Sequence, residues 1–152
     1  MEFNEVLPFL QENHLAVVTT IGASGRAQAT VVSAGPYEGQ MAFVSRGRTI
    51  KVRNARSSGR CAVTVVRPDN TRYVTIEGPA TVHGWEDTNP TDLLALLRGV
   101  YTAAGRPPER WDDFDRAMRE EQRTVVLVSP HRVYGSLVQG RRTGPLAQDA
   151  QL

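Results

Sequence analysis

The sequence is poor in the residues that usually announce a chemistry. A single cysteine, Cys61, stands among its 152 residues, so no disulfide can close within the chain. The three histidines, His14, His83 and His131, are far apart and share no metal-ligand spacing, which excludes a structural zinc site. Cys61 itself opens an apolar stretch and reads as a small buried hydrophobe. A chain of this length needs no staple, because a domain of such size buries roughly 70% of the surface its unfolded form exposes. No apolar run approaches the ~20 residues that span a bilayer, and the first dozen residues carry acids where a signal peptide is basic. Together these absences point to a soluble protein of a reducing cytoplasm. The sequence signatures of phosphate-loop enzymes, dinucleotide-binding folds, serine hydrolases and zinc proteases are missing as well. An enzyme without a recognisable acid, base or nucleophile must take its chemistry from a cofactor.

Charge is small in sum and uneven in place. The net charge is +2, yet residues 46–72 carry eight cations (Arg46, Arg48, Lys51, Arg53, Arg56, Arg60, Arg67 and Arg72) against one acid, Asp69. Residues 86–121 carry nine acids against five arginines. The acids at Asp112, Asp113 and Asp115 crowd an expected helix start, where the macrodipole favours them, so a solvated helical face accounts for that excess.

The apolar pattern predicts mainly β structure. Residues 4–13 read as a short helix behind Asn4, limited by Pro8. Leu15–Ile21 and residues 27–33 form a hairpin, and residues 41–45 are a third strand after a turn built from Gly35-Pro36 and Glu38-Gly39. A short helix over residues 49–55 precedes a second hairpin of residues 61–67 and Arg72–His83, joined at Pro68-Asp69-Asn70. Asn89-Pro90 starts a helix with a broad apolar stripe, and residues 109–121 form another with Trp111, Phe114 and Met118 on one face. Residues 124–129 and 132–137 read as one long strand interrupted by Pro130, which marks an edge or a bulge. About six strands joined mostly by hairpins imply an antiparallel barrel rather than a parallel sheet. One domain is expected over residues 1–138, with a polar, glycine-bearing tail over 139–152 expected to be disordered.

The one informative constellation is Ser45 to Arg56, between a strand and a short helix. Gly47 allows a close turn, Thr49 stands where a cap belongs, and the first-turn amides would face an anion. A capping box would put Glu or Gln at position 52; Val52 stands there, so no acid competes for those amides. Arg48 and Lys51, three apart, are expected on one side. Lys51 is the only lysine beside seventeen arginines, and a compact ammonium suits a phosphate in a tight pocket. A solvated basic face and a nucleic-acid patch remain the alternatives, the latter disfavoured because few aromatics interleave with the charges.

These residues resemble a known family. Lys51-Val52-Arg53-Asn54 after a strand, the run Tyr73-Val-Thr-Ile-Glu77-Gly78-Pro-Ala-Thr-Val, the helix Trp111-Asp-Asp-Phe-Asp-Arg-Ala-Met118, then Arg123-Thr-Val-Val-Leu-Val and Val133-Tyr134-Gly135 look like the pyridoxamine-phosphate-oxidase-like split-barrel proteins. The likeness is strongest to their branch of F420-dependent flavin/deazaflavin oxidoreductases of B type. It implies a six-stranded antiparallel split β-barrel of the FMN-binding kind with short helices, working as a homodimer with the cofactor at the subunit interface. It implies that the segment Ser45, Arg48, Thr49 and Lys51 holds the cofactor phosphate. The strand from Gln28 through Val31 and Val32 would flank the ring, with Tyr73 near the groove and Arg53 and Asn54 completing the set. Turn positions depart from the family pattern: Ser24-Gly25-Arg26-Ala27 replaces Asp-Gly-x-Pro, and Asn54-Ala55-Arg56-Ser57-Ser58-Gly59-Arg60 replaces Asn-Leu-x-x-Asp-Pro-Arg. The surplus of Arg46, Arg53, Arg56 and Arg60 favours F420, with its tail of glutamate carboxylates, over FMN. The implied activity is hydride transfer from reduced deazaflavin to an unsaturated small-molecule acceptor. An FMN-binding flavoprotein and a non-catalytic cofactor carrier or sensor are the alternatives.

Overall fold

The structure is a computed structural model describing residues 1–137. The expected tail of residues 139–152 lies outside the described residues. The chain runs α1 (Phe3–Glu12), β1 (Leu15–Ile21), β2 (Ala27–Tyr37), β3 (Gln40–Arg46), α2 (Ile50–Ser58), β4 (Arg60–Arg67), a 3₁₀ turn (Pro68–Asn70), β5 (Arg72–His83), α3 (Pro90–Ala103), α4 (Trp111–Glu120), β6 (Arg123–Val128) and β7 (Arg132–Ser136).

All pairings are antiparallel, and six strands close on themselves in the order β1-β2-β3-β6-β5-β4 and back to β1. Two strands are shared between the halves of the barrel. Residues 27–33 of β2 pair with β1 and residues 34–37 with β3, while β5 pairs with β4 over residues 72–79 and with β6 over residues 80–83. Closure leaves few open sheet edges, β7 and residues 27–33 of β2 among them.

The expected long strand after α4 is two strands laid end to end along one edge of β5. Val128 stands opposite Ala80 and Arg132 opposite Glu77, a slip of one residue at the Pro130 corner, which is the signature of a bulge. β7 is thereby a seventh strand at the edge. Gly35-Pro36, expected in a turn, lies inside β2 with Pro36 opposite Met41. The turn is Glu38-Gly39 alone, both at positive φ (48° and 78°), the two-residue hairpin whose twist matches its strands. Gly35 answers a distant demand instead: a Cβ there would stand 2.0 Å from the Ala103 carbonyl oxygen, because the last turn of α3 rests on the strand. At α1 the N-cap is Glu2 rather than Asn4, in a capping box with Glu5, and Pro8 is accommodated inside the helix.

Two clusters make the core. Met41, Phe43, Val63, Val65, Val74 and Ile76 fill the barrel and take in Val6 and Leu10 of α1 and Val52 of α2. Leu93, Leu97 and Val100 of α3 and Phe114 and Met118 of α4 pack with Ala42 and Val125 on the outer face of β3 and β6. Each such side chain contributes about 1.5–3 kcal/mol on burial. Tyr101 and Trp111 meet Phe114 edge-on at 4.8 and 5.4 Å, and Arg98 grips Asp115 by two hydrogen bonds of 2.6 and 3.0 Å while lying over Trp111. The acidic excess is therefore partly structural: Asp115 ties α3 to α4, and Glu121 pairs with Arg123 at 2.7 Å.

Candidate functional site

The end of β3 and the start of α2 form a corner. Thr49 occupies the N-cap position with extended backbone, but its side chain does not cap. Its Oγ1 donates to the Arg46 carbonyl at 3.1 Å and lies 3.0 Å from Ser45 Oγ. The amides of the first turn thus have no side-chain cap, and no acid occupies that turn, so the positive end of the helix stays open to an anion.

Lys51 projects from this turn with only 9% of its surface exposed. No carboxylate or hydrogen-bond acceptor is paired with it among the described residues. Burial lowers its pKa below the ordinary lysine value, and the like charge of Arg123 lowers it further. A desolvated cation without a counter-charge is costly in a resting fold, and perturbed groups of this kind cluster where a ligand supplies the missing charge.

Lys51 lines an open pocket of about 280 Å³ with Val31, Val32 and Ser33 of β2, Val44 and Ser45 of β3, Tyr101 and Ala104 of α3, Arg106 just beyond it, and Arg123 at the start of β6. Three cations and no carboxylate line it. Of the residues expected in the site, Val31, Val32, Ser45 and Lys51 thus come together, and Thr49 joins through Ser45. Arg48 does not share this pocket. It precedes the helix, so helical spacing does not align it with Lys51, and it lines a neighbouring pocket of about 470 Å³ with Arg46, Gly47, Glu86, Glu121, Gln122 and Thr124.

The remaining expected residues stand elsewhere within one chain. Arg53 is exposed on α2. Asn54 is buried and turned toward β1, where its Nδ2 donates to Thr20 Oγ1 at 3.1 Å, while its carbonyl accepts from Ser57 and Ser58. Gln28 lies opposite Thr20, its Oε1 enclosed without a hydrogen-bond partner. Tyr73 sits on β5 between Val66 and Ser136, 38% exposed. Arg56, counted toward an anionic tail, is taken by Glu86 and Asp87 at 2.7 Å each. Burial alone would raise the Asp87 pKa, but hydrogen bonds from Arg56, the Gly84 amide and Thr88 outweigh it and bring the carboxyl down to about 2. Cys61 is buried and its thiol is pushed up to about 12, which leaves it unreactive at neutral pH.

The sequence did not single out Ser33, Val44, Tyr101, Ala104, Arg106 or Arg123 as lining residues. Arg123 opens a stretch the family resemblance already contained, and that was its only signal. Arg106 follows Gly105 in a loop and carried none.

A sequence profile of the pyridoxamine 5'-phosphate oxidase family matches residues 3–136. Among solved structures, a conserved hypothetical protein of Mycobacterium tuberculosis superposes with a TM-score of 0.68 at 18% identity, covering 94% of this chain and 95% of its own. An F420 reductase gives 0.63 at 18% identity over 88% and 98%. A pyridoxamine 5'-phosphate oxidase-related, FMN-binding protein of Nostoc punctiforme gives 0.62 at 14% identity over 90% and 81%. A haem-binding protein of Mycobacterium smegmatis and a haem storage protein of Vibrio cholerae share the fold as well. At these identities the likeness of structures carries the fold, whereas the profile spans nearly every described residue. This chain belongs to the pyridoxamine 5'-phosphate oxidase family.

Proposed function

We propose that this chain is a reductase whose Lys51 corner holds the phosphate end of a flavin-type cofactor, coenzyme F420 in preference to FMN. One observation carries the reading: the only lysine is almost wholly buried, has no partner among the described residues, and shares an acid-free pocket with Arg123 beside uncapped helix amides. The donor set fits a phosphate. Lys51 Nζ and the first-turn amides supply hydrogen-bond donors, each charged bond worth about 1.5–3 kcal/mol. The hydroxyls of Ser45 and Thr49, which hold the Arg46 carbonyl and each other in the ligand-free chain, would add theirs on rotating toward the phosphate. When bound, the cofactor supplies hydride transfer, and the protein supplies binding and orientation. The exposed Val31 side chain gives the apolar surface along which a ring lies, and Val32 next to it turns to the core and anchors that stretch of β2. Holding acceptor and ring together lowers the entropic part of the barrier.

The working unit in this reading is a homodimer of a cytoplasmic enzyme. Leu15 and Ile21 of β1 and Val31 of β2 share the outer face of the hairpin and are 46%, 48% and 65% exposed, an apolar patch a second copy would cover. Tyr73, exposed and off the Lys51 pocket in one chain, would then approach the groove from the interface. Gln28, opposite buried Thr20, stands on the other face of the hairpin and would act on the groove only through the strand. Nucleic acid is disfavoured, because the basic segment folds into separate pockets and ion pairs rather than one continuous stripe.

Two observations bear on the cofactor. Arg46 and Arg48 line the adjoining pocket, where the tail carboxylates of F420 would find charge. The engagement of Arg56 reduces that surplus and keeps FMN as the second reading. No histidine lines the Lys51 pocket to serve as an axial ligand for haem. The test is titration of the purified protein with F420 and with FMN, followed by cofactor fluorescence, then incubation with reduced F420 and a panel of enone, tetrapyrrole and nitro acceptors. Tight uptake of FMN with none of F420 overturns the preference; uptake without turnover of any acceptor leaves a carrier or sensor; uptake of neither removes the reading.

A further inference from the structure

Arg106 lines the Lys51 pocket from the loop that follows α3, and hydrogen bonds and packing hold its backbone there. Helix α3 ends in a Schellman closure: Gly105, at φ 75°, donates its amide to the Thr102 carbonyl at 3.1 Å, and the Arg106 amide donates to the Tyr101 carbonyl at 2.9 Å. The His14 ring packs on the open face of Gly105, where an added Cβ would lie 2.5 Å from its Cδ2. His14 is itself fixed, its Nδ1 donating to the Ala34 carbonyl at 3.0 Å. Two elements distant in sequence therefore fix the point from which the Arg106 side chain reaches the pocket.

The charges of the pocket divide unequally. Lys51 stands with the uncapped amides of α2, which is provision for one phosphate. Arg123 is already paired with Glu121. Arg106 is exposed, has no acid partner among the described residues, and lies on the α3 side, beyond Tyr101 and Ala104. Its planar guanidinium matches a carboxylate in two parallel hydrogen bonds, where Lys51 acts as a point charge. We infer that Arg106 is a specificity residue that reads a carboxylate on the acceptor, so that the preferred substrates are unsaturated carboxylic acids rather than neutral enones.

This inference rests on the cofactor reading above, and the same carboxylate chemistry is offered by the tail of F420, so the experiment separates the three. Protein loaded with oxidised cofactor, which cannot reduce a bound acceptor, is titrated calorimetrically with cinnamate and with methyl cinnamate. The wild type is expected to bind the acid at least tenfold more tightly than the ester; Arg106→Gln is expected to erase the gap by weakening the acid alone, and Arg106→Lys to restore part of it. Affinities of both variants for F420 and FMN should stay within twofold of wild type, and their melting temperatures within about 2 °C, because Arg106 is exposed. Equal binding of acid and ester by the wild type, or a gap that survives Arg106→Gln, overturns the inference. A loss of F420 affinity with FMN affinity intact assigns the arginine to the cofactor tail and overturns it equally. Failure of the wild type to take up either cofactor shows separately as absent loading and removes this inference together with the reading it rests on.

Discussion

Two regions of the molecule treat positive charge in opposite ways. Three arginines that face the α3–α4 layer or the loop leading to it meet acids: Arg98 has Asp115, Arg116 has Asp113, and Arg56, from the far half of α2, has both Glu86 and Asp87. At the α2 corner Lys51, the most buried cation among the described residues, meets no acid there, and a second cation, Arg123, lies close enough to oppose its charge. Pairing these three arginines while Lys51 stays bare separates charge that holds elements together from charge that awaits a ligand. Exposed ion pairs contribute little each, about 0–1 kcal/mol, so the matched side is tolerant. An unmatched buried cation weakens the ligand-free fold and strengthens the liganded one, so the corner should respond sharply to substitution and in opposite senses for binding and for stability.

The contrast is broken most directly by Lys51→Met. Removing one charged contact to a phosphate should cost about 1.5–3 kcal/mol, an affinity loss of about 10- to 150-fold for F420 or FMN, measured by fluorescence titration. The ligand-free variant should melt no lower than wild type. A wild-type affinity in the variant would remove Lys51 from the site; a large fall in melting temperature would make it a structural residue.

Next in size is Gly35→Ala, which acts where the two regions meet. Its methyl group would fall against the Ala103 carbonyl, backbone rather than a yielding side chain, so β2 and the end of α3 must part. A destabilisation of about 1–3 kcal/mol is expected in urea unfolding, with weaker cofactor binding because Tyr101 and Ala104, which line the pocket, move with the helix end. Loss of stability with binding unchanged would detach the helix end from the site.

The matched side should yield least. With its folded pKa near 2, below the ordinary 3.8, Asp87 contributes stability that is present above pH 3.8 and disappears as pH falls toward 2. Its side chain and that of Arg56 are each more than a third exposed, so screening holds the contribution under about 1 kcal/mol. Asp87→Asn should flatten that acid limb in pH-dependent melting and leave cofactor affinity alone. A changed affinity would mean that the Arg56 pair shapes the corner after all.

Much of this architecture was legible because it is written locally. Alternating apolar residues gave Leu15–Ile21 and Arg72–His83 to the residue, Asn89 caps α3 by accepting from the Thr91 amide, and the Pro130 corner sits at a one-residue bulge. Failures arose where a residue answers a partner distant in sequence. Gly35 looked like a turn residue because its reason, the Ala103 carbonyl, lies 68 positions downstream. Lys51 was found because composition singles it out, and Val31, Val32 and Ser45 because the family resemblance supplies them. Arg106 escaped because nothing local tells an arginine at a helix end from one bound for a pocket; only the crossing of α3 over β2 brings it there. Arg56 misled in the reverse direction, as a free cation in sequence that the fold pairs with Glu86 and Asp87.

The smallest effect is the most discriminating, because its sign depends on whether the corner is filled. Lys51 is held below its ordinary pKa of 10.5 in the folded chain, by burial first and by Arg123 second. Between that lowered value and 10.5 the unfolded chain binds more protons than the folded one, so stability contributed at this site rises with pH across the window. The measurement is the difference between the urea midpoints of ligand-free wild type and Lys51→Met from pH 7 to 10, in which other groups that titrate there, such as Tyr37, cancel. Wild type should gain on the variant as pH rises. A bound phosphate favours the charged ammonium, so saturating cofactor should flatten or invert the slope. A flat difference in the ligand-free proteins would mean that water already solvates the ammonium; a slope unmoved by cofactor would mean that the phosphate sits elsewhere.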